Sequence, residues 1–265
     1  MRLFVQATLS YRFATATEVL LQIEAARSAD QLIAEERLSL SCQQDLRRVN
    51  DEATGDRRLV FVGDGDVEIT YSALADVHPR AAALDEPALT PVRDLPPDAI
   101  RYLLPSRYCP SDRFEDFVAE EFGAVSGGAK VAAILKWLAE HLEYRVGASD
   151  ANSTAADTFE CRAGVCRDFT HLAITFCRAA QIPARAVSAY AWKLDPPDMH
   201  AVVEVYLGGR WQMIDPTGLA PVDGLVRVAT GLDATDIAFM TIFGEAELLA
   251  QTFSVFRLDD ATRQQ

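Results

Sequence analysis

The sequence predicts an α+β protein, and three observations carry that prediction. Extended runs separated by turn-prone clusters fill residues 1 to 80. Apolar residues then recur at helical spacing between residues 112 and 180. After them, an alternating run, the pair Gly208-Gly209 and a second run make the clearest β-hairpin of the chain. Helices followed by an antiparallel sheet is the α+β order, not the strand–helix alternation of a parallel sheet.

In chain order, Leu3 to Ala14, Thr17 to Ala25, Gln31 to Cys42 and Leu59 to Tyr71 read as strands. Val60 and Val62, then Val67, Ile69 and Tyr71, alternate as half-buried strands do. Short strands at this spacing predict a small all-β sandwich as an N-terminal domain, residues 1–85. Gly63-Asp-Gly-Asp66 reads as a hairpin turn, because the further acidic ligands of a calcium loop are missing. Residues 81–105 hold five prolines and read as a segment leading into a second domain, residues 86–265.

Asp112 with Glu115 three positions later predicts a helix running to Phe122. A second follows Ser126-Gly-Gly, with Val131, Ile134, Leu135, Leu138 and Leu142 on one face. Gly147 to Asp157 reads as a polar connection. Phe169, Leu172, Ala173, Phe176, Cys177 and Ala180 then mark a buried helix that Ile182-Pro183 ends. Ala184 to Trp192 reads as a strand, Lys193 to Met199 as a loop, and His200–Leu207 with Arg210–Asp215 as the hairpin. Residues 222–230 and 251–258 supply later strands.

Composition narrows the partners. Over 265 residues, 49% are hydrophobic and 24% charged, which suits a globular chain with a sizeable core. A net charge of −14 leaves no basic surplus to neutralise phosphates, so neither nucleic acid nor a membrane is expected as a partner. No segment has the length of a bilayer span, and Met1 to Val5 is too short for a signal peptide. Five cysteines without close pairs then read as free thiols in a reducing cytoplasm. No cofactor and no metal is expected.

One thiol stands apart. Cys166 follows a glycine turn, Gly164-Val165, and opens the buried helix, where unpaired N–H groups and the helix dipole favour negative charge. The hairpin supplies two partners. With Gly208-Gly209 as the central turn residues, Leu207 faces Arg210 and Val202 faces Asp215. His200, Val202 and Asp215 then share one side of the sheet. His200 and Asp215 become diagonal neighbours at roughly 7–8 Å between backbones, close enough for their side chains to bond. A slip of one residue would separate them. Cys166, His200 and Asp215 thus form a Cys–His–Asp set: nucleophile, proton carrier and orienter.

Beside this set stand Gly164-Val-Cys-Arg-Asp-Phe-Thr-His-Leu172, Ile182-Pro-Ala-Arg-Ala-Val-Ser-Ala-Tyr190, His200-Ala-Val-Val-Glu-Val-Tyr-Leu207 and Asp215-Pro-Thr217. In these motifs the chain resembles the bacterial transglutaminase-like proteins of the papain-like superfamily. Tyr102-Leu-Leu-Pro-Ser-Arg-Tyr108, Gly231-Leu-Asp-Ala-Thr-Asp-Ile237 and the β-rich first 80 residues extend the resemblance over nearly the whole chain. It implies a papain-like core of helices packed on an antiparallel sheet. It also implies a cysteine peptidase or amidase, acting through an acyl-enzyme on Cys166 with a protein or peptide amide as substrate, or a transglutaminase-type transfer. The chain departs from the family pattern at Val202, where Trp is usual, and at Gln181, where Gly usually precedes Ile-Pro.

Rival readings are a peptide- or cell-wall-binding module that keeps the fold without catalysis, and acyl transfer from an acyl-CoA, for which no glycine-rich nucleotide loop is present. Asp168 reads as a helix-start residue bonded to free N–H groups. His171, about 140° round the helix from Cys166, reads as a core or supporting histidine. Cys161, Cys166 and His171 lack zinc-site spacing. Cys177 reads as inert core, and Cys42 and Cys109 carry no signal. Tyr190, Trp192 and Trp211 are candidates for a substrate groove, and Tyr206 with Trp211 for a cross-strand pair.

Overall fold

The computed structural model describes residues 1–41, 46–80, 84 and 87–258. Cys42 and the expected domain boundary at 85/86 lie outside them.

The α+β class holds. The chain opens with β1 (Arg2–Leu21), β2 (Gln31–Leu40), β3 (Arg47–Asn50) and β4 (Arg57–Val77). Along β1, Leu3, Val5, Ala7, Leu9, Tyr11 and Phe13 are buried, and along β4 so are Val67, Ile69, Tyr71, Ala73, Ala75 and Val77. This period of two gives the sheet one apolar face. Where the sequence suggests a small sandwich, the strands hydrogen-bond into one six-stranded sheet ordered through β1 and β4.

Gly63–Asp66 is not a hairpin turn. It lies inside β4, opposite a register shift in β1 between Phe13 and Thr17. A side chain at Gly63 would come within 2.6 Å of the Phe13 ring, so the glycine is there to let that ring lie across the strand.

The second half begins with α1 (Pro97–Ile100), then α2 (Glu115–Phe122) and α3 (Gly127–His141). Asp112 does not cap α2: Ser111–Arg113 form a separate 3₁₀ turn, and the helix starts only after Phe114, whose ring packs on Phe159 and Phe176. The strand β5 (Glu143–Tyr144) follows α3. A helix that the polar stretch concealed comes next, α4 (Ala155–Cys161), capped by Thr154 and Asp157.

The strand β6 (Ala163–Gly164), α5 (Cys166–Ala179), β7 (Ala184–Ala191), β8 (Met199–Leu207), β9 (Arg210–Ile214) and β10 (Leu225–Gly231) complete the core. Strands β10, β7, β8 and β9 form an antiparallel sheet in that order. Gln181, just past α5, has a φ of +60°, the left-handed region that favours the glycine usual there.

Last come α6 (Ala234–Ile237), β11 (Met240–Ile242) and β12 (Glu247–Arg257). Both strands pair with β1, β12 along Leu3–Arg12 and β11 along Val19–Leu21. Residues 251–258, expected as a late strand, thus fall in β12 and join the sheet of β1, as does β11, which no sequence pattern announced.

The two sheets meet over one core. Tyr190 of β7 stacks on Tyr71 of β4, with ring centres 6.2 Å apart, and donates its hydroxyl to the Ile23 carbonyl at 2.7 Å. Gln31 bonds to both the N–H and the carbonyl of Arg227 on β10, and the Arg227 guanidinium reaches Asp30 and Glu204. The N-terminal sheet thus braces the sheet that carries His200.

Candidate active site

The start of α5 is built around Asp168. Its carboxylate accepts the Val165 N–H at 2.8 Å, the Ser149 hydroxyl, and the Arg167 guanidinium at 3.0 Å. These bonds satisfy a donor that the first turn leaves free, and they fix the chain just ahead of Cys166. Gly164 permits this: a side chain there would come within 2.5 Å of the Asp168 Cβ. The expected structural part for Asp168 agrees with these contacts.

Cys166 is the first residue of α5 and is partly exposed, at the wall of a cavity of about 670 Å³. Cys109 and Cys177 are wholly buried, and burial raises both thiols to about 12. Cys161 is exposed and points its sulfur at the Ala163 carbonyl, 3.1 Å away. Among the described residues no three His, Cys, Asp or Glu side chains converge to hold a metal ion.

The hairpin takes the expected register. Gly208 and Gly209 have φ of +59° and +79°, as a type I′ turn requires, and Leu207 faces Arg210 while Val203 faces Ile214. His200, next to the start of β8, consequently meets Asp215 just beyond β9. His200 Nε2 lies 3.0 Å from Asp215 Oδ2, with both side chains almost wholly buried.

Asp215 is held as an acceptor from every side. Its Oδ1 takes the Thr217 hydroxyl at 2.7 Å and the Thr217 N–H at 2.9 Å, and its Oδ2 takes the Ala220 N–H at 2.9 Å. Burial pushes this carboxyl upward, but the bond to His200 and these donors outweigh it and leave it below its ordinary value. For His200, burial opposes the charge. The bond to Asp215 and the interactions with Asp215 and the neighbouring Cys166 prevail and hold the imidazole at about 9. With Nε2 taken by an acceptor-only carboxylate, the ring's other nitrogen, Nδ1, is left for the thiol. Cys166 and His200 line the same cavity.

Sequence reasoning missed Tyr144. The two-residue parallel pairing of β5 with β6 sets Tyr144 beside Gly164, two positions before the thiol. Burial, then the Cys166 charge, push its hydroxyl to about 12, which sets that hydroxyl close to the sulfur. A pairing this short has no periodicity, so no sequence signal announces it. Thr217 was also missed, although Asp215-Pro-Thr217 is one of the motifs.

His171 lies outside the site. Its ring stacks on Tyr108 at 5.0 Å, its Nε2 accepts the Ala234 N–H at 3.1 Å, and burial lowers it to about 4. It is a neutral core histidine. Tyr190, Trp192 and Trp211, the candidates for a substrate groove, do not line the Cys166 cavity. Tyr190 is fully buried between the sheets, Trp192 lies under Lys193, and Trp211 is covered by Arg185 at 4.1 Å. Trp211 does pair with Tyr206 across the hairpin, 5.3 Å between ring centres.

The cavity is lined instead by residues 234–235 and 237–242, with Ala234, Ile237, Phe239 and Met240 adding apolar surface. Arg107, Arg167 and Asp198 add charge to its lining.

Residues 116–216 match the family model of the transglutaminase-like superfamily. A solved structure of a Cytophaga hutchinsonii protein, proposed to be a cysteine protease, is 36% identical. It superposes with a TM-score of 0.92 over 98% of this chain and 91% of its own. An uncharacterised Mycobacterium leprae protein is 33% identical over 118 residues, which span 41% of this chain and 42% of the relative. The periplasmic domain of Pseudomonas aeruginosa TgpA is more distant, at 18% identity and a TM-score of 0.44 over 82% of this chain and 90% of its own. The chain is a member of the transglutaminase-like superfamily, a thiol-dependent enzyme of that group.

Proposed function

We propose that the protein cleaves amide bonds of peptides or proteins through an acyl-enzyme on Cys166. The observation that carries this reading is the 3.0 Å bond between His200 and Asp215 at the cavity that also holds the thiol. Sulfur of Cys166 attacks the amide carbonyl with its proton already resting on His200 Nδ1, which holds it up to about 9. The carbonyl π electrons move onto oxygen, toward the N–H of Cys166 that the first turn of α5 leaves free. When the tetrahedral adduct collapses, the C–N bond breaks, and the imidazolium gives its proton to the departing amine. A thioester remains.

Water then repeats the sequence. His200 removes its proton, hydroxide adds to the thioester, and sulfur leaves as the thiolate that regains a proton from His200. Asp215 keeps the ring in one orientation and stabilises its cation throughout. An amine entering in place of water would give transamidation. The partner is thus an amide-bearing peptide or protein, and the reducing cytoplasm expected from the free thiols suits the chemistry.

Incubation with a defined peptide library, read by mass spectrometry, tests this. The wild type is expected to yield shortened peptides ending in new carboxylates, and Cys166→Ala to yield none. Equal turnover by Cys166→Ala would remove the thiol from the mechanism.

A further inference from the structure

The cavity that holds Cys166 is bordered on one side by a strand edge. Strand β11 is the last of its sheet: β1 lies on one side of it, and among the described residues no strand lies on the other. Its register with β1 is antiparallel, Val19 to Ile242, Leu20 to Thr241 and Leu21 to Met240. Just beyond these pairs, the Gln22 N–H donates to the Phe239 carbonyl at 2.8 Å, and the Phe243 N–H to the Glu18 carbonyl at 3.0 Å.

Hydrogen-bonded pairs alternate with non-bonded ones along an antiparallel ladder. The bonds of Phe239 and Phe243 therefore place Thr241 in the bonded set, facing β1. Met240 and Ile242 fall between, so the N–H and C=O of each point away from β1. Four backbone groups are thus set along about 7 Å of open edge.

This edge borders the cavity. All six residues from Ile237 to Ile242 line it, including neighbours whose side chains stand on opposite faces of the strand. A cavity pressed on one face of β11 would meet alternate residues only; one at its edge meets both sets. Cys166 and His200 line the same space.

We infer that the substrate is an extended polypeptide segment that pairs as an added strand with Met240 and Ile242, beside Cys166. This rests on the amide-cleaving reading above and goes further by naming what the site grips: backbone, so that sequence preference is left to the side chains flanking the strand. The occupant follows from continuity, since the unpaired edge and the thiol share one cavity.

The test uses a tetrapeptidyl chloromethyl ketone, whose carbon joins the Cys166 sulfur as chloride leaves, and analogues N-methylated at one backbone nitrogen each. Each rate of labelling at Cys166 is divided by that of iodoacetamide, which has no backbone to pair. N-methylation of the nitrogen that pairs with β11 is expected to lower the ratio about tenfold, the usual worth of one lost hydrogen bond, with the other positions within about threefold. Ile242→Pro removes an outward N–H while sparing the Leu20–Thr241 pair, and is expected to lower the ratio for the parent ketone about tenfold. Should that variant fail to fold, the methylation series on the wild type decides alone.

Equal ratios for every methylated analogue would overturn strand addition and leave the thiol chemistry standing. A protein that dimerises with concentration, and is labelled faster on dilution, would show the edge filled by a second copy, which also overturns it. If neither the ketone nor iodoacetamide labels Cys166 ahead of exposed Cys161, the amide-cleaving reading fails, and this inference with it.

Discussion

The His200 ring and the Asp215 carboxylate, 15 residues apart in sequence, meet at 3.0 Å because a two-glycine turn sets the register between them. Asp215 has no free lone pair to spare for a second tautomer, as Thr217 and Ala220 occupy the rest of its acceptor sites. The carboxylate therefore decides which imidazole nitrogen is turned toward Cys166.

Asp215→Asn tests that relationship at constant shape. The amide can donate where the carboxylate accepts, which favours the wrong tautomer and removes the charge that stabilises the imidazolium. Peptide cleavage is expected to fall about 10⁴-fold in kcat with a small change in KM. Steady-state kinetics check this, and a loss under tenfold would contradict it.

The raised His200 value makes stability depend on alkaline pH. From an ordinary value of 6.5 the folded state holds the proton to about 9. The contribution is complete below about pH 6.5, where the unfolded chain is protonated as well, and it is lost as pH rises through 9. It amounts to at most about 3 kcal/mol for this buried group. Urea unfolding of the wild type at pH 6 and pH 9.5 should show a decline that His200→Gln flattens.

Gly164 allows Asp168 to close over the first turn of α5. Gly164→Ala forces the new Cβ against Asp168 and should cost about 1–3 kcal/mol. The midpoint of urea denaturation reads this directly, and an unchanged midpoint would show that the turn can relax.

Gln181 works in the opposite direction. An L-residue in the left-handed region carries strain of about 1–2 kcal/mol that glycine avoids, offset in part by the greater entropy of an unfolded glycine. Gln181→Gly is expected to raise the stability of the wild type by about 0.5–1 kcal/mol, visible as a higher melting temperature.

Arg227 joins the two halves. It is buried against Glu204 and Asp30, and burial would raise the Glu204 carboxyl were it not for the charges of Arg227 and Arg185. Arg227→Met leaves buried carboxylate without its main partner and should cost about 3–5 kcal/mol. The loss should shrink at acid pH, where Glu204 can take a proton.

The hairpin was legible because its turn chemistry, its alternation and its length all agree, and register then follows by counting. Cys166 was legible because a glycine before an amphipathic run marks a helix start. Gly63–Asp66 misled because glycine serves a turn and a ring crossing equally well, and only the distant Phe13 decides between them. Helix α4 was hidden in a polar stretch, although Thr154 and Asp157 have the spacing of a cap pair. The return of β11 and β12 to the first sheet depends on pairing across more than 200 residues, which no local pattern records.

The proposed chemistry requires Cys166 to be an activated thiol served by His200. Iodoacetamide at pH 6, with peptide mapping of each cysteine over time, measures this most directly. Exposed Cys161 is the internal reference, and buried Cys109 and Cys177 are the unreactive controls. Cys166 is expected to be alkylated at least about tenfold faster than Cys161, and His200→Ala is expected to remove the difference. Alkylation of Cys166 no faster than Cys161, or an advantage that survives His200→Ala, would contradict it.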